Sequence, residues 1–226
     1  MNGYEILKTR GVTRLCHFTK FQSLTHIITS ADGISASDSI RSDTKNVTDI
    51  ARYDGELDYV CCSIEYPNSW FLQKAIRRNI DKIFDEWVVL YIDLEILKQK
   101  CAKFSPCNAS TANGAHIDNR MENIKSIFAD IVPSFQYPRS SKMLSCCPTN
   151  GQAEILIKDS VPRDFIIGIA VGKDEIARRI FAMLKIYNIN QIPIFIAKDV
   201  LTTNWNDMII KGLRPSETRC SWPEEK

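Results

Sequence analysis

The sequence predicts an α+β domain with a sheet-rich core. About six short runs of β-forming residues are bounded by turn signals, and roughly three or four stretches keep helical spacing. The connections between strands are long and irregular rather than regular crossover helices. At 226 residues, 44% hydrophobic and 25% charged, the chain can bury one sizeable core, and a single domain over residues 1–226 is expected. A formal net charge of +2 neither demands nor excludes a nucleic-acid partner, so partners must be argued from sites.

In chain order, residues 13–18 (T-R-L-C-H-F) alternate and are rich in β-formers, and residues 20–30 place Phe21, Leu24, Ile27 and Ile28 at helical spacing. His17 stands at the exit of this first strand, where a side chain is either structural or able to reach a ligand. Residues 31–58 lose periodicity and read as an irregular lid carrying Arg41 and Arg52, whose guanidinium forks suit phosphate. Residues 59–64 (Y-V-C-C-S-I) form a compact apolar strand. Asn68 then caps a helix running to about residue 79.

Residues 87–93 (W-V-V-L-Y-I-D) are the most strand-like run of the chain, and residues 94–100 make a short helical turn. The small, polar stretch 104–119, with Asn108, Asn113, Gly114 and His116, is a turn-rich loop or the lining of a groove. Helical spacing returns over 121–129. Residues 131–150 form a mobile, mildly basic loop with Phe135, Tyr137, Arg139 and Lys142, a combination that suits base stacking and phosphate attraction.

Residues 151–157 (G-Q-A-E-I-L-I) read as a buried strand whose entrance carries Gln152 and Glu154 on one face. A turn at 158–162, a strand at 165–171, an amphipathic helix at 174–186 and a strand at 192–197 follow. The tail beyond Asn206 is expected to fray.

The eight cysteines include two adjacent pairs and no C-x-x-C, which argues against a zinc ribbon and for reduced thiols in a cytoplasm. No metal site is expected, since three scattered histidines offer no H-E-x-x-H. The first residues hold no apolar run of a secretory signal, and the longest apolar runs are strand-sized, so no membrane association is expected. Dinucleotide-binding, phosphate-loop and nucleophile-elbow glycine patterns do not occur. A thiol nucleophile beside His17 or His116 has no spacing to support it.

The motifs Arg14-Leu15-Cys16-His17-Phe18-Thr19, Tyr59-Val60 after an arginine-bearing loop, and Gln152-Ala153-Glu154-Ile155-Leu156-Ile157 followed by Val161-Pro162 resemble the DarT family of DNA ADP-ribosyltransferases, over roughly residues 10–172. The resemblance implies a split antiparallel sheet clasping NAD as co-substrate. It also implies transfer of ADP-ribose to a base of single-stranded DNA with release of nicotinamide, in a bacterial toxin opposed by an antitoxin macrodomain or related hydrolase.

By the same resemblance, Glu154 is the catalytic glutamate. Arg52 grips the cofactor's phosphates and shares in catalysis, with Arg41 as the alternative. His17, Phe18, Thr19 and Tyr59 hold NAD. Gln152, His116, Tyr137, Arg139 and Lys142 are expected to meet the acceptor. The segments 61–68 and 104–109 resemble the guanine-modifying branch more than thymidine-modifying members. The alternatives are a non-enzymatic module for single-stranded nucleic acid, and a transferase of this fold acting on RNA or protein.

Overall fold

The computed structural model describes residues 2–37, 53–78, 86–189 and 192–222. The first half comprises α1 (Gly3–Thr9), β1 (Arg14–Lys20), α2 (Phe21–Thr29), β2 (Ile34–Ser35), β3 (Tyr59–Ile64), α3 (Ser69–Arg78), β4 (Trp87–Asp93) and β5 (Ala102–Ser105). The second comprises β6 (Glu154–Lys158), β7 (Ser160–Val161), β8 (Ile166–Val171), α4 (Asp174–Ile186), β9 (Ile194–Ile196), α5 (Asn204–Ile210) and β10 (Thr218–Arg219). Short 3-10 turns, including Leu94–Lys98 and Met121–Phe128, fill the connections.

The expected α+β class is observed. Eight strands form one sheet in the order β10-β9-β8-β4-β1-β3-β6-β5, and β2 and β7 form a separate ribbon. Every pair is antiparallel except β8 with β9. β4 is central and all but its last residue is buried, which explains its unbroken apolar run. α4 lays Ile176, Ala177, Ile180 and Leu184 into the core and leaves Glu175, Arg178 and Arg179 exposed. The side chain of Asn68 accepts the N–H of Phe71 at 3.1 Å, so it starts α3 as expected.

One register feature shapes the molecule. β1 pairs with β4 along all of its length, Arg14↔Asp93 to Lys20↔Trp87. With β3 it pairs only at Leu15↔Ile64 and Cys16↔Ser63, after which the two strands part. The sheet is split at this point.

Four expectations are corrected. The segment 104–119 begins inside a strand, β5, which the short and partly polar sequence A-K-F-S conceals. The strand at 151–157 starts only at Glu154, because the Gln152 N–H donates to Oδ1 of Asn150 at 3.0 Å and holds a turn there. The loop 131–150 is anchored rather than mobile: Val132, Met143, Cys146 and Cys147 are buried in it, and Thr149 donates through its hydroxyl to the Ala129 carbonyl at 2.7 Å.

Over its described residues, to Trp222, the tail beyond Asn206 is built in rather than frayed: Ile209 is buried, and its carbonyl accepts the Leu144 N–H at 3.1 Å. Just before the tail, Trp205 is 1% exposed, stacks on Tyr66 and donates to Oγ of Ser69 at 2.9 Å. Further on, Arg14 Nη1 donates to Glu217 Oε2 at 2.8 Å, and Arg214 Nη1 donates to the buried Glu65 at 2.9 Å. Among the described residues no helix is long and apolar enough to cross a membrane.

Candidate active site

The site grows out of the split. Beyond Cys16 the carbonyls of β3 have no ladder partner on β1, and a buried acceptor must find another donor. Nδ1 of His17 lies 2.9 Å from the Cys61 carbonyl oxygen. A carbonyl only accepts, so this nitrogen carries the proton, and in the neutral ring Nε2 is the acceptor. The histidine thus closes the base of the gap with its own ring.

Between the parted strands lies a cavity of about 420 Å³, within the range of small-molecule sites. β1 contributes Cys16, His17, Phe18 and Thr19, and β3 contributes Tyr59, Val60, Cys61 and Ser63. The polar face of α2 adds Gln22, Ser23 and His26, residues 33–37 form one wall, and Asp54, Phe71, Asn108, Ser110 and Glu154 complete it. Phe18 is steadied by Phe71 and Trp87, each with ring centroids 5.9 Å away. Lys103 and Lys158 cover the ring of the buried Tyr59 at 4.5 and 5.1 Å, and they pair with Glu56 and Asp58.

Glu154 opens β6, in register with Ser63 of β3 and Ser105 of β5, and is only 8% exposed. A buried carboxylate requires donors. The Ala109 N–H donates to its Oε2 at 2.7 Å, and Asn108 Nδ2 lies 3.5 Å from its Oε1. These come from the loop after β5, which folds over this face of the sheet and buries Ala109 against Tyr59 and Leu156.

Of the residues singled out in the sequence, the structure brings Glu154, His17, Phe18, Thr19 and Tyr59 to one cavity. Gln152 does not line it; its place on the turn before β6 replaces the expected shared face with Glu154. His116 lines a second, polar cavity of about 660 Å³ with Lys103, Asp118 and Arg120. Arg139 gives its guanidinium to the carbonyls of Leu144 and Cys147, at 2.7 and 2.8 Å, and to the Thr149 hydroxyl, so it fastens the loop rather than facing outward. Burial holds that guanidinium below its ordinary pKa.

Tyr137 is 70% exposed and meets Phe135 edge-on, and Lys142 is exposed. Arg41 and Arg52 lie outside the described residues. The wall at 33–37, Asp54 and the Ala109 amide escaped sequence reading. A polar stripe of Gln22, Ser23 and His26 on an otherwise apolar helix was the one signal available for α2.

Among the described residues no group of three or more His, Cys, Asp or Glu side chains could hold a metal ion. All eight cysteines are described and none is in a disulfide.

Comparison with known proteins bears on this geometry. A family model described as "DarT: ssDNA thymidine ADP-ribosyltransferase, DarT" matches residues 16–202. Among solved structures, Thermus sp. 2.9 DarT in complex with ADP-ribosylated ssDNA matches with a TM-score of 0.60 at 16% identity, over 84% of this chain and 96% of that one. The same protein in complex with NAD+ matches with a TM-score of 0.57 at 15% identity, over 83% and 96%. Thermosipho africanus DarTG in complex with ADP-ribose matches with a TM-score of 0.58 at 16% identity, over 84% of this chain but 51% of its own. At such identities these likenesses concern the fold. No curated protein matches the chain. The family match begins on the strand of His17, passes through the strand of Glu154 and takes in well over half of the sequence, so the chain belongs to the DarT family of ADP-ribosyltransferases.

Proposed function

We propose that this chain transfers ADP-ribose from NAD to a base of single-stranded DNA, with guanine as the acceptor. One observation carries the reading: a buried glutamate, held by a main-chain N–H, stands at a cavity opened by the parting of β1 and β3, with His17 on the facing strand. The Thermus relatives of this fold are recorded with NAD+ and with ADP-ribosylated ssDNA, which supports the choice of both substrates.

The chemistry follows from the residues. The bond from ribose C1′ to the nicotinamide nitrogen breaks, and its electron pair leaves with nicotinamide. The cationic sugar that develops is stabilised by a carboxylate nearby, the role of Glu154. The acceptor base gives its nitrogen to C1′ and loses a proton, for which the same carboxylate is the base. His17, Phe18, Thr19 and Tyr59 hold NAD. Arg52, with Arg41 as the alternative, neutralises the phosphates and aids departure of the pair.

A base inside a duplex cannot reach a carboxylate at a cavity wall, so a single strand is the fitting substrate. The exposed Tyr137 offers a stacking surface for it, with Lys142, and His116 in the second cavity adds a further contact. Guanine and thymine both present an N–H on the pairing edge, so Glu154 chemistry serves either. The resemblance of segments 61–68 and 104–109 to the guanine-modifying branch supports guanine. Such an enzyme acts as a toxin in a bacterial cytoplasm, beside a macrodomain or related hydrolase that removes the mark.

The test is incubation with NAD and a mixture of single-stranded DNA, RNA and protein. Labelled DNA, released nicotinamide and adducts on guanine are expected, and Glu154→Ala should abolish all three and relieve toxicity. Retained labelling by that variant would sink the catalytic assignment. Adducts confined to thymidine would end the guanine assignment, and DNA affinity indifferent to NAD with no nicotinamide released would favour a binding module.

A further inference from the structure

The loop after β5 reaches both oxygens of the Glu154 carboxylate, at different distances. Oε2 accepts the Ala109 N–H at 2.7 Å, whereas Oε1 lies 3.5 Å from Asn108 Nδ2, at the outer edge of hydrogen bonding. A carboxylate fixed through one oxygen still swings about its terminal torsion, whose well is broad. A donor on the other oxygen restricts the plane.

The amide of Asn108 is itself oriented. Its Oδ1 accepts the Ser110 N–H at 3.2 Å and also the Ser110 hydroxyl. The oxygen end is therefore committed to Ser110, which leaves Nδ2 facing Glu154. The loop can make this tight reversal because Ala112, Asn113 and Gly114 all adopt left-handed backbone, with φ of 50°, 55° and 84°. Asn108, Ser110 and Glu154 line the same cavity.

We infer that Asn108 is a positioning residue that sets the plane of the Glu154 carboxylate in the cavity, with Ser110 as the lock on its amide. The inference rests on the transferase reading above, in which Glu154 does the chemistry. Asn108 contributes a neutral N–H donor at a place where a like charge would push the carboxylate away.

The experiment measures nicotinamide release from NAD with a single-stranded oligonucleotide for the wild type, Asn108→Ala, Asn108→Asp, Ser110→Ala and Glu154→Ala. For Asn108→Ala, kcat should fall about 100-fold, the loss that slight misplacement of a catalytic group brings. Its KM for NAD should stay within about twofold of wild type, because orientation acts on the transition state rather than on binding. Asn108→Asp should fall further: it keeps the volume and the bond from the Ser110 N–H, but it offers no donor and sets two carboxylates face to face.

A residue that merely fills space predicts the opposite order, with the isosteric aspartate milder than alanine, and that order would overturn the inference. So would an Asn108→Ala enzyme with unaltered kcat. Thermal melting accompanies each variant. Should Asn108→Ala melt early, Ser110→Ala decides: about a tenfold loss of kcat is expected from a loosened amide, and full activity overturns the inference. An inert wild type would bring down the transferase reading and this inference together. An active wild type with inactive Glu154→Ala separates the two, leaving the Asn108 variants to judge this inference alone.

Discussion

Nδ1 of His17 donates to the carbonyl oxygen of Cys61 at 2.9 Å, joining β1 to β3 just past the last backbone pair that holds those strands together. The bond does two things: it satisfies an acceptor stranded by the split, and it fixes the tautomer of a ring that faces the cavity. A ring so held needs no reorientation when a ligand enters. His17→Ala should therefore weaken NAD affinity about tenfold while costing only about 1 kcal/mol of stability, the net value of one hydrogen bond. Calorimetric titration with NAD and denaturant unfolding check the two effects, and unchanged affinity would remove His17 from the NAD site.

Gly33 sits in the wall of the same cavity with φ of 62°, and a Cβ there would lie 2.3 Å from the Val161 carbonyl oxygen. Backbone cannot give way as a flexible side chain does. Gly33→Ala should cost about 3 kcal/mol by combining left-handed strain with the clash. It should also impair NAD binding by shifting residues 34–37. Melting temperature and NAD titration measure both.

Glu65 is 1% exposed and accepts from the Thr13 N–H at 2.8 Å, the Thr13 hydroxyl at 3.1 Å and Arg214 at 2.9 Å. The Arg214 side chain is 53% exposed, so solvent offsets part of the pair. Arg214→Ala should cost about 1–3 kcal/mol, chiefly by leaving a buried carboxylate short of a donor. Adding Glu65→Gln should recover part of that loss. A double-mutant cycle by urea unfolding reads the coupling, and additive effects would show that the two residues act independently.

Burial pushes the Cys16 thiol up to about 12, and burial raises Cys62 as well. An unfolded thiol titrates near 8.5. Above that pH the unfolded chain has lost protons that the folded chain keeps, so the stability these groups contribute is complete below about 8.5 and drains away toward 12. Each thiol removes about 1.4 kcal/mol per pH unit. Cys146 works oppositely: the Cys147 thiol and Arg214 draw it below the ordinary thiol value, so its contribution is complete above the unfolded value and fades as pH falls below it. Unfolding measured between about pH 9 and 10.5 should show steep loss, shallower in Cys16→Ala.

β3, β4 and α4 have the bounds expected from the sequence because their signals are local: compact apolar runs, and an apolar stripe of four inward residues. Glu154 was legible as a polar residue at a strand end, whereas His17, expected at the exit of its strand, stands in the middle of β1, which runs on to Lys20 along β4; it reaches the cavity because β3 has parted from β1 there. Gln152 misled because alternation cannot register that Asn150 folds its side chain back onto the following backbone. Arg139 looked like a surface cation, yet its donors are used by three oxygens of its own loop. The Ala109 amide leaves no trace in a sequence at all, since every residue but proline has one. The tail was misjudged because its partners, Glu65 and Arg14, stand far back along the chain.

That distance has a consequence in time. Arg14 and Glu217 are separated by 203 positions, and Arg14 opens the strand that carries His17. A ribosome delivers that strand early and its half-buried counter-ion late, at about 5–20 residues per second. For roughly ten seconds or more of synthesis the strand of His17 exists without the charge that seats its first residue. A polypeptide halted at residue 202 should lack cooperative unfolding and transferase activity, so that the fold is completed only when nearly all of the described chain has been made.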